Sequence, residues 1–91
     1  MKYAVKMTGQ FMKDVKQAKK RGKNIEKLLA VIEILSNGAQ LEEKHRDHDL
    51  SGVSKGVREC HIEPDWLLIY EIMRDISVLV LNRTGSHADL F

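Results

Sequence analysis

Three histidines and one aspartate in the second half of this chain stand in settings that suit proton transfer. They occur in Asp47-His48, in His61-x-x-x-Asp65-Trp66, and in Arg83-Thr84-Gly85-Ser86-His87, which is followed by Leu90-Phe91. Histidine is the side chain whose unperturbed pKa, about 6.5, lets it give and take protons near neutral pH. Three of them with a carboxylate and an arginine in 91 residues point to acid–base chemistry on an anion. They lie beside short apolar runs that read as strands, which can hold them in fixed geometry.

Each residue taken singly has an ordinary reading. A histidine at a strand end is usually a surface residue, and Asp65 after Pro64 can bond to the backbone of a turn. Trp66 can be a core anchor, Arg83 the partner of a carboxylate, and Phe91 a frayed end. The sharpest chemical rival is a zinc site built from His45-x-x-His48, His61 and Asp65. Its spacing is not a helical i, i+4 pair. Cys60 is the single cysteine, so neither a thiolate cluster nor an internal disulfide is available.

The elements that must position these groups are legible as a pattern. Residues 2–7 alternate as a strand with Tyr3, Val5 and Met7 on one face. Thr8 caps a helix running to about Arg21, with Phe11, Val15 and Ala18 on its apolar stripe. Gly22 supplies a left-handed stop, and Asn24 caps a second helix over about 25–36. Its expected buried face is Ile25, Leu28, Leu29, Ile32 and Leu35, and Asn37-Gly38 ends it. Residues 39–56 are polar and read as a loop. Strands follow over 57–62, 66–72 and 76–82, separated by turns at Glu63-Pro64-Asp65 and Arg74-Asp75. The expected fold class is α+β: a small antiparallel β-sheet with two helices packed on one face, in the order β-α-α-β-β-β. The ends of adjacent antiparallel strands meet, so His61 and Asp65 are expected near one another. His87 and His48 are expected to return to the same edge.

Length and composition set the bounds. Residues 1–91 are expected to form one domain with a small, mainly aliphatic core. A domain of this size buries only roughly 60–65 % of its unfolded surface. No signal peptide is read at the start, and no apolar run approaches the roughly 20 residues of a membrane span, so the expected location is the cytoplasm. The formal net charge is only +2 but is unevenly spread. Residues 1–30 hold nine Lys/Arg against Asp14 and Glu26, whereas residues 31–91 hold six against eleven acidic residues. Lys13, Lys16, Lys19, Lys20 and Arg21 fall largely off the apolar stripe of the first helix. They make either a face for phosphates or an acidic partner, or simply a solvated surface.

Three segments together carry a resemblance. Asp47-His48-x-Leu50-x-Gly52, then Gly56-x-Arg58-x-x-His61-x-x-Pro64-Asp65-Trp66-Leu67-Leu68-Ile69-Tyr70, then Arg83-Thr84-Gly85-Ser86-His87-x-x-Leu90-Phe91, resemble the YafQ-type toxins of the RelE superfamily. The specific match covers roughly residues 47–91; the first half matches only in pattern. The resemblance implies a RelE-like fold and an mRNA interferase that cuts messenger RNA in the ribosomal A site. It implies a cognate antitoxin of ribbon-helix-helix, DinJ-like type, with operator DNA reached only through that antitoxin. By the family's motif, His48, His61, Asp65 and His87 match catalytic positions, and Trp66 and Phe91 match positions that shape the site. Arg83 is added as a substrate contact from its place beside them. Lys16, Lys19 and Lys20 are expected to meet ribosomal RNA or the antitoxin. His45 has no role in the family pattern and reads as a surface residue.

RNA cleavage of this kind needs no cofactor, because the substrate brings its own nucleophile, the 2′-hydroxyl. A base must take its proton and an acid must protonate the departing 5′-oxygen. Proton transfer supplies about 10²–10⁴-fold, and a placed charge stabiliser about 10²–10³ more. The expected base is His48 and the expected acid His87, with His61 and Asp65 positioning or sharing the work; the order is interchangeable. Two rivals stand beside this reading: a degenerate toxin that only binds its antitoxin and helps repress its operon, and a zinc-dependent hydrolase. Retention of all three motif histidines argues against the first.

Overall fold

The computed structural model describes residues 2–50 and 56–91. Its strands are β1 (Ala4–Met7), β2 (His48–Asp49), β3 (Val57–Glu63), β4 (Trp66–Met73) and β5 (Val78–Gly85). Its helices are α1 (Gly9–Lys20), α2 (Ile25–Ser36) and the one-turn α3 (His87–Leu90), and a single 3₁₀ turn spans Glu43–His45. The sheet order is β1-β5-β4-β3-β2. Neighbours from β2 to β5 run antiparallel, but β1 adds to β5 in parallel, with Ala4 opposite Val78 and Met7 opposite Leu81. The fold is therefore α+β on a mixed sheet. The helical hairpin carries the chain back across the sheet between β1 and the meander, which leaves β5 as the edge that β1 joins.

Both long helices start where a side-chain oxygen meets a free backbone N–H. Thr8 accepts from Phe11 N and Asn24 accepts from Glu26 N, which satisfies donors that the first turn leaves open. Gly22, at φ +78°, makes the left-handed turn between the helices. Phe11 and Ala18 from α1 and Leu28, Val31, Ile32 and Leu35 from α2 pack on Trp66, Leu68, Tyr70, Leu79 and Leu81.

Leu29, expected in the core, is 54 % exposed, and Val31 is buried in its stead. The stripe 28, 31, 32, 35 is narrower than the one read from sequence and rotated away from Leu29. Met7 is likewise exposed, because the chain leaves the edge strand there and Thr8 turns it inward. The Thr8 N–H and hydroxyl donate to the carbonyls of Leu81 and Asn82 at 3.2 and 2.9 Å.

Other boundaries also move. β5 begins at Val78, not Ile76, since a wider turn with Ser77 at φ +53° intervenes. It continues to Gly85 and so carries Arg83 and Thr84 inside the sheet, opposite Ile69 and Leu68. The polar loop contains the 3₁₀ turn and β2; its residues 51–55, including the motif residue Gly52, lie outside the described residues. Among the described residues, no helix is long and apolar enough to cross a membrane.

Candidate active site

Cys60 and Ile62 on β3 belong to the core against the helices. Strand alternation therefore turns Glu59 and His61 to the opposite face. His61 occupies the point where regular pairing with β4 stops, at a bulge between His61 and Glu63. Such bulges re-aim side chains at sheet rims. Glu63-Pro64-Asp65 was expected to be a turn. The strands in fact run up to Glu63 and resume at Trp66, leaving Pro64 and Asp65 as the two turn residues.

The three motif histidines form a row. The ring centroids of His48 and His61 are 6.5 Å apart, and those of His61 and His87 are 5.8 Å apart. His48 and His87 are exposed and His61 is half-buried. His61 and Asp65, expected as partners, do not pair. His61 Nδ1 bonds to the carbonyl of Pro64 at 3.1 Å, while Asp65 takes His87. Asp65 Oδ1 accepts from the ring Nδ1 at 2.6 Å and from the backbone N–H at 2.9 Å. Those two bonds, backbone first, hold the Asp65 carboxyl below its ordinary value.

The partners also assign tautomers. A carbonyl or carboxylate can only accept here, so Nδ1 carries the proton in His61 and His87, and in His48, whose Nδ1 donates to the Arg46 carbonyl at 2.6 Å. In the neutral ring Nε2 is then the basic nitrogen. His48 Nε2 lies 3.4 Å from Oε1 of buried Glu59, an ion pair when that histidine carries both protons.

Asp47 secures His48 from the neighbouring position. It accepts from the buried Tyr70 hydroxyl on β4 and from Arg58 Nε on β3 at 3.2 Å. Burial, then the Asp47 bond, pushes the Tyr70 phenol up, so it stays a donor. α3 is set by a capping box: Asp89 N donates to Ser86 Oγ, and Ser86 N donates to Asp89 Oδ2. Ser86-x-x-Asp89 was a legible signal for that turn. Arg21 also reaches Asp89, at 2.5 Å, so this member of the basic face is spent on holding α3 to α1.

Two residues assigned to substrate contact have structural partners. Arg83 donates through Nε and one terminal nitrogen to Asp14 at 2.7 and 3.3 Å. Asp14 also accepts the Thr84 N–H at 3.1 Å. Burial raises the Asp14 carboxyl, but these bonds outweigh it and the net shift is down. Trp66 is 1 % exposed, and its indole N–H donates to the Thr84 hydroxyl at 2.9 Å. It has no free face for a nucleobase and anchors the start of β4, next to the turn residue Asp65. Phe91 is 69 % exposed. Lys16, Lys19 and Lys20 are exposed on α1, and no ion pair among the described residues engages them.

Two surface cavities include residues of the site in their walls. One, of about 720 Å³, is lined by His61, His45 and Arg46 against Ala30, Val31 and Ile34. The other, of about 370 Å³, is lined by Asp65, Arg83, Arg21 and Ser86. Among the described residues, no group of three or more His, Cys, Asp or Glu side chains converges as metal ligands do. Burial pushes the Cys60 thiol up to about 12, which leaves it inert as a nucleophile.

A family profile described as a bacterial toxin of type II toxin-antitoxin systems, YafQ, matches residues 3–91. The Escherichia coli K12 protein named mRNA interferase toxin YafQ is 43 % identical over 88 residues, covering 96 % of this chain and 94 % of that protein. The crystal structure of the E. coli DinJ-YafQ toxin-antitoxin complex superposes with a TM-score of 0.91 at 41 % identity, covering 100 % of this chain and 99 % of that one. That of a metal-bound toxin from Helicobacter pylori does so at 0.94 and 38 % identity, covering 98 % and 99 %. The chain belongs to the YafQ family of toxins of type II toxin–antitoxin systems.

Proposed function

We propose that this chain is an mRNA interferase that cuts messenger RNA in the ribosomal A site, in the cytoplasm, by acid–base catalysis with the substrate's 2′-hydroxyl as nucleophile. The row of three histidines ending on Asp65 carries this reading. Nε2 of His48 takes the 2′-hydroxyl proton as the 2′-oxygen bonds to phosphorus. The bond from phosphorus to the 5′-oxygen breaks, and Nε2 of His87 protonates that oxygen. His61 stands between them, within reach of the phosphate that both ends of the row must address. His87 acts as the imidazolium: Asp65 holds its Nδ1 proton and pairs with the charged ring, and the second proton, on the outward Nε2, is the one given to the 5′-oxygen. His61 borders one surface cavity and Asp65 the other, and these suit the nucleotides flanking the scissile phosphate.

Neutral activity of the resting protein is held in check by an antitoxin of the kind bound in the DinJ-YafQ complex. The exposed lysines of α1 supply contacts to ribosomal RNA, where each phosphate neutralised makes binding more salt-dependent. Inducing the chain alone, without antitoxin, tests the reading. Translation stops and cleaved messages accumulate, with cuts mapping to the A site. Normal protein synthesis with abundant folded protein refutes catalysis and leaves a module that binds its antitoxin and helps repress its own operon.

A further inference from the structure

We propose that His45 is a positioning residue for His61, a role resting on the cleavage reading above. The 3₁₀ turn Glu43–His45 places this ring against β3, half-buried, where its Nδ1 lies 2.7 Å from the backbone carbonyl of His61. A carbonyl only accepts, so His45 donates, and it does so whether the ring is neutral or charged.

The carbonyl it takes belongs to the residue at which the β3–β4 register shifts. Regular sheet pairing therefore ceases to define the backbone at the point where His61 must be aimed. The other members of the row have their own supports. His87 is held twice by Asp65. His48 is paired with Glu59 in the sheet, and Asp47 beside it is gripped by Arg58 and Tyr70. His61, opposite Leu67 at the last regular step of the β3–β4 register, adds its bond to Pro64 O within the turn and the His45 clamp from outside it.

The clamp is itself anchored. Leu41, four residues earlier, is buried in the core. On the other side Arg46 adopts the left-handed conformation, at φ +45°. That turn sends the chain from His45 into Asp47 and His48, so one short segment fixes the His61 peptide and delivers the neighbouring ring. A reacting group displaced by about 1 Å can lose 10²-fold in rate, and a flexible bulge is where such a displacement arises.

The test compares His45→Ala with His45→Asn on ribosomes programmed with a defined message, alongside the wild type. Asparagine places an N–H donor one bond beyond Cγ, where histidine has Nδ1. His45→Ala is expected to lower kcat roughly 10-fold with KM within about twofold, and His45→Asn to recover most of it. In histidine-labelled protein, the ring resonances of His61 move and broaden in His45→Ala and return in His45→Asn, while those of His87 stay in place. Equal loss in both variants, or full activity in His45→Ala, overturns the proposal. So does an unmoved His61 ring. If the wild type does not cleave at all, the functional reading has failed, and the ring resonances alone decide whether His45 positions His61.

Discussion

One carboxylate oxygen of Asp65 binds His87 twice, through the ring Nδ1 at 2.6 Å and through the backbone N–H at 2.9 Å. The first bond sets the tautomer and the second fixes where the α3 turn begins. The residue that orients the acid thus also places it.

Asp65→Asn tests that double role. The folded-state pKa of Asp65 is depressed below its ordinary 3.8, chiefly by the backbone and ring bonds of His87. Its contribution to stability is therefore fully present above 3.8 and is lost as pH falls through the lower folded value. The difference in denaturation midpoint between wild type and Asp65→Asn should shrink as pH falls below 3.8. Cleavage by the variant should drop by about 10-fold, part of what proton transfer supplies. A midpoint difference that persists unchanged well below pH 3.8 contradicts the assignment.

Trp66 should matter to folding before it matters to substrate. Its side chain is buried and its N–H satisfies the Thr84 hydroxyl, which in turn donates to the Leu67 carbonyl at 2.7 Å. Trp66→Phe should cost about 1–3 kcal/mol in chemical denaturation, and Trp66→Ala about 3–5 kcal/mol. The larger loss approaches the whole stability of a small domain. A fully stable Trp66→Ala protein with impaired substrate affinity contradicts this placement.

The Asp14 cluster joins α1 to the end of β5. Removing it by Asp14→Ala leaves Arg83 without its partner and the Thr84 N–H without an acceptor, at a cost of about 1–2 kcal/mol. A double-mutant cycle with Arg83→Ala should show positive coupling in stability. Strict additivity would mean that the pair is not formed in solution and would return Arg83 to the substrate.

The lysines of α1 should serve binding alone. Lys16, Lys19 and Lys20 changed together to Glu should weaken association with ribosomes and flatten its salt dependence, leaving the fold intact. Unchanged affinity across salt assigns that face to the antitoxin or to solvent.

Much of the fold was legible because local chemistry dictates it. Thr8, Gly22 and Asn24 mark the helix ends, and the apolar runs at 66–70 and 78–81 mark inner strands. What escaped was long-range. The parallel direction of β1, the burial of Val31 in place of Leu29, and the use of Asp14 by Arg83 all depend on partners distant in sequence. The site was legible as a set of residues but not as a wiring diagram. Strand-end adjacency pointed Asp65 at His61, whereas the α3 turn brings His87 to it. The polar loop marked His45 only as a surface group or as a ligand of the rival zinc site, since its partner is a backbone carbonyl sixteen residues away.

The chemistry at the histidine row is tested most directly by the ends of the cut message. Cleavage on intact ribosomes pre-formed with the chain, then challenged with excess EDTA, should continue and leave a 2′,3′-cyclic phosphate upstream of the cut. His48→Ala and His87→Ala should each lose about 10²–10⁴-fold of the rate while remaining folded, since both side chains are exposed. A 5′-phosphate on the downstream product, a zinc requirement, or full activity in both variants would contradict the account.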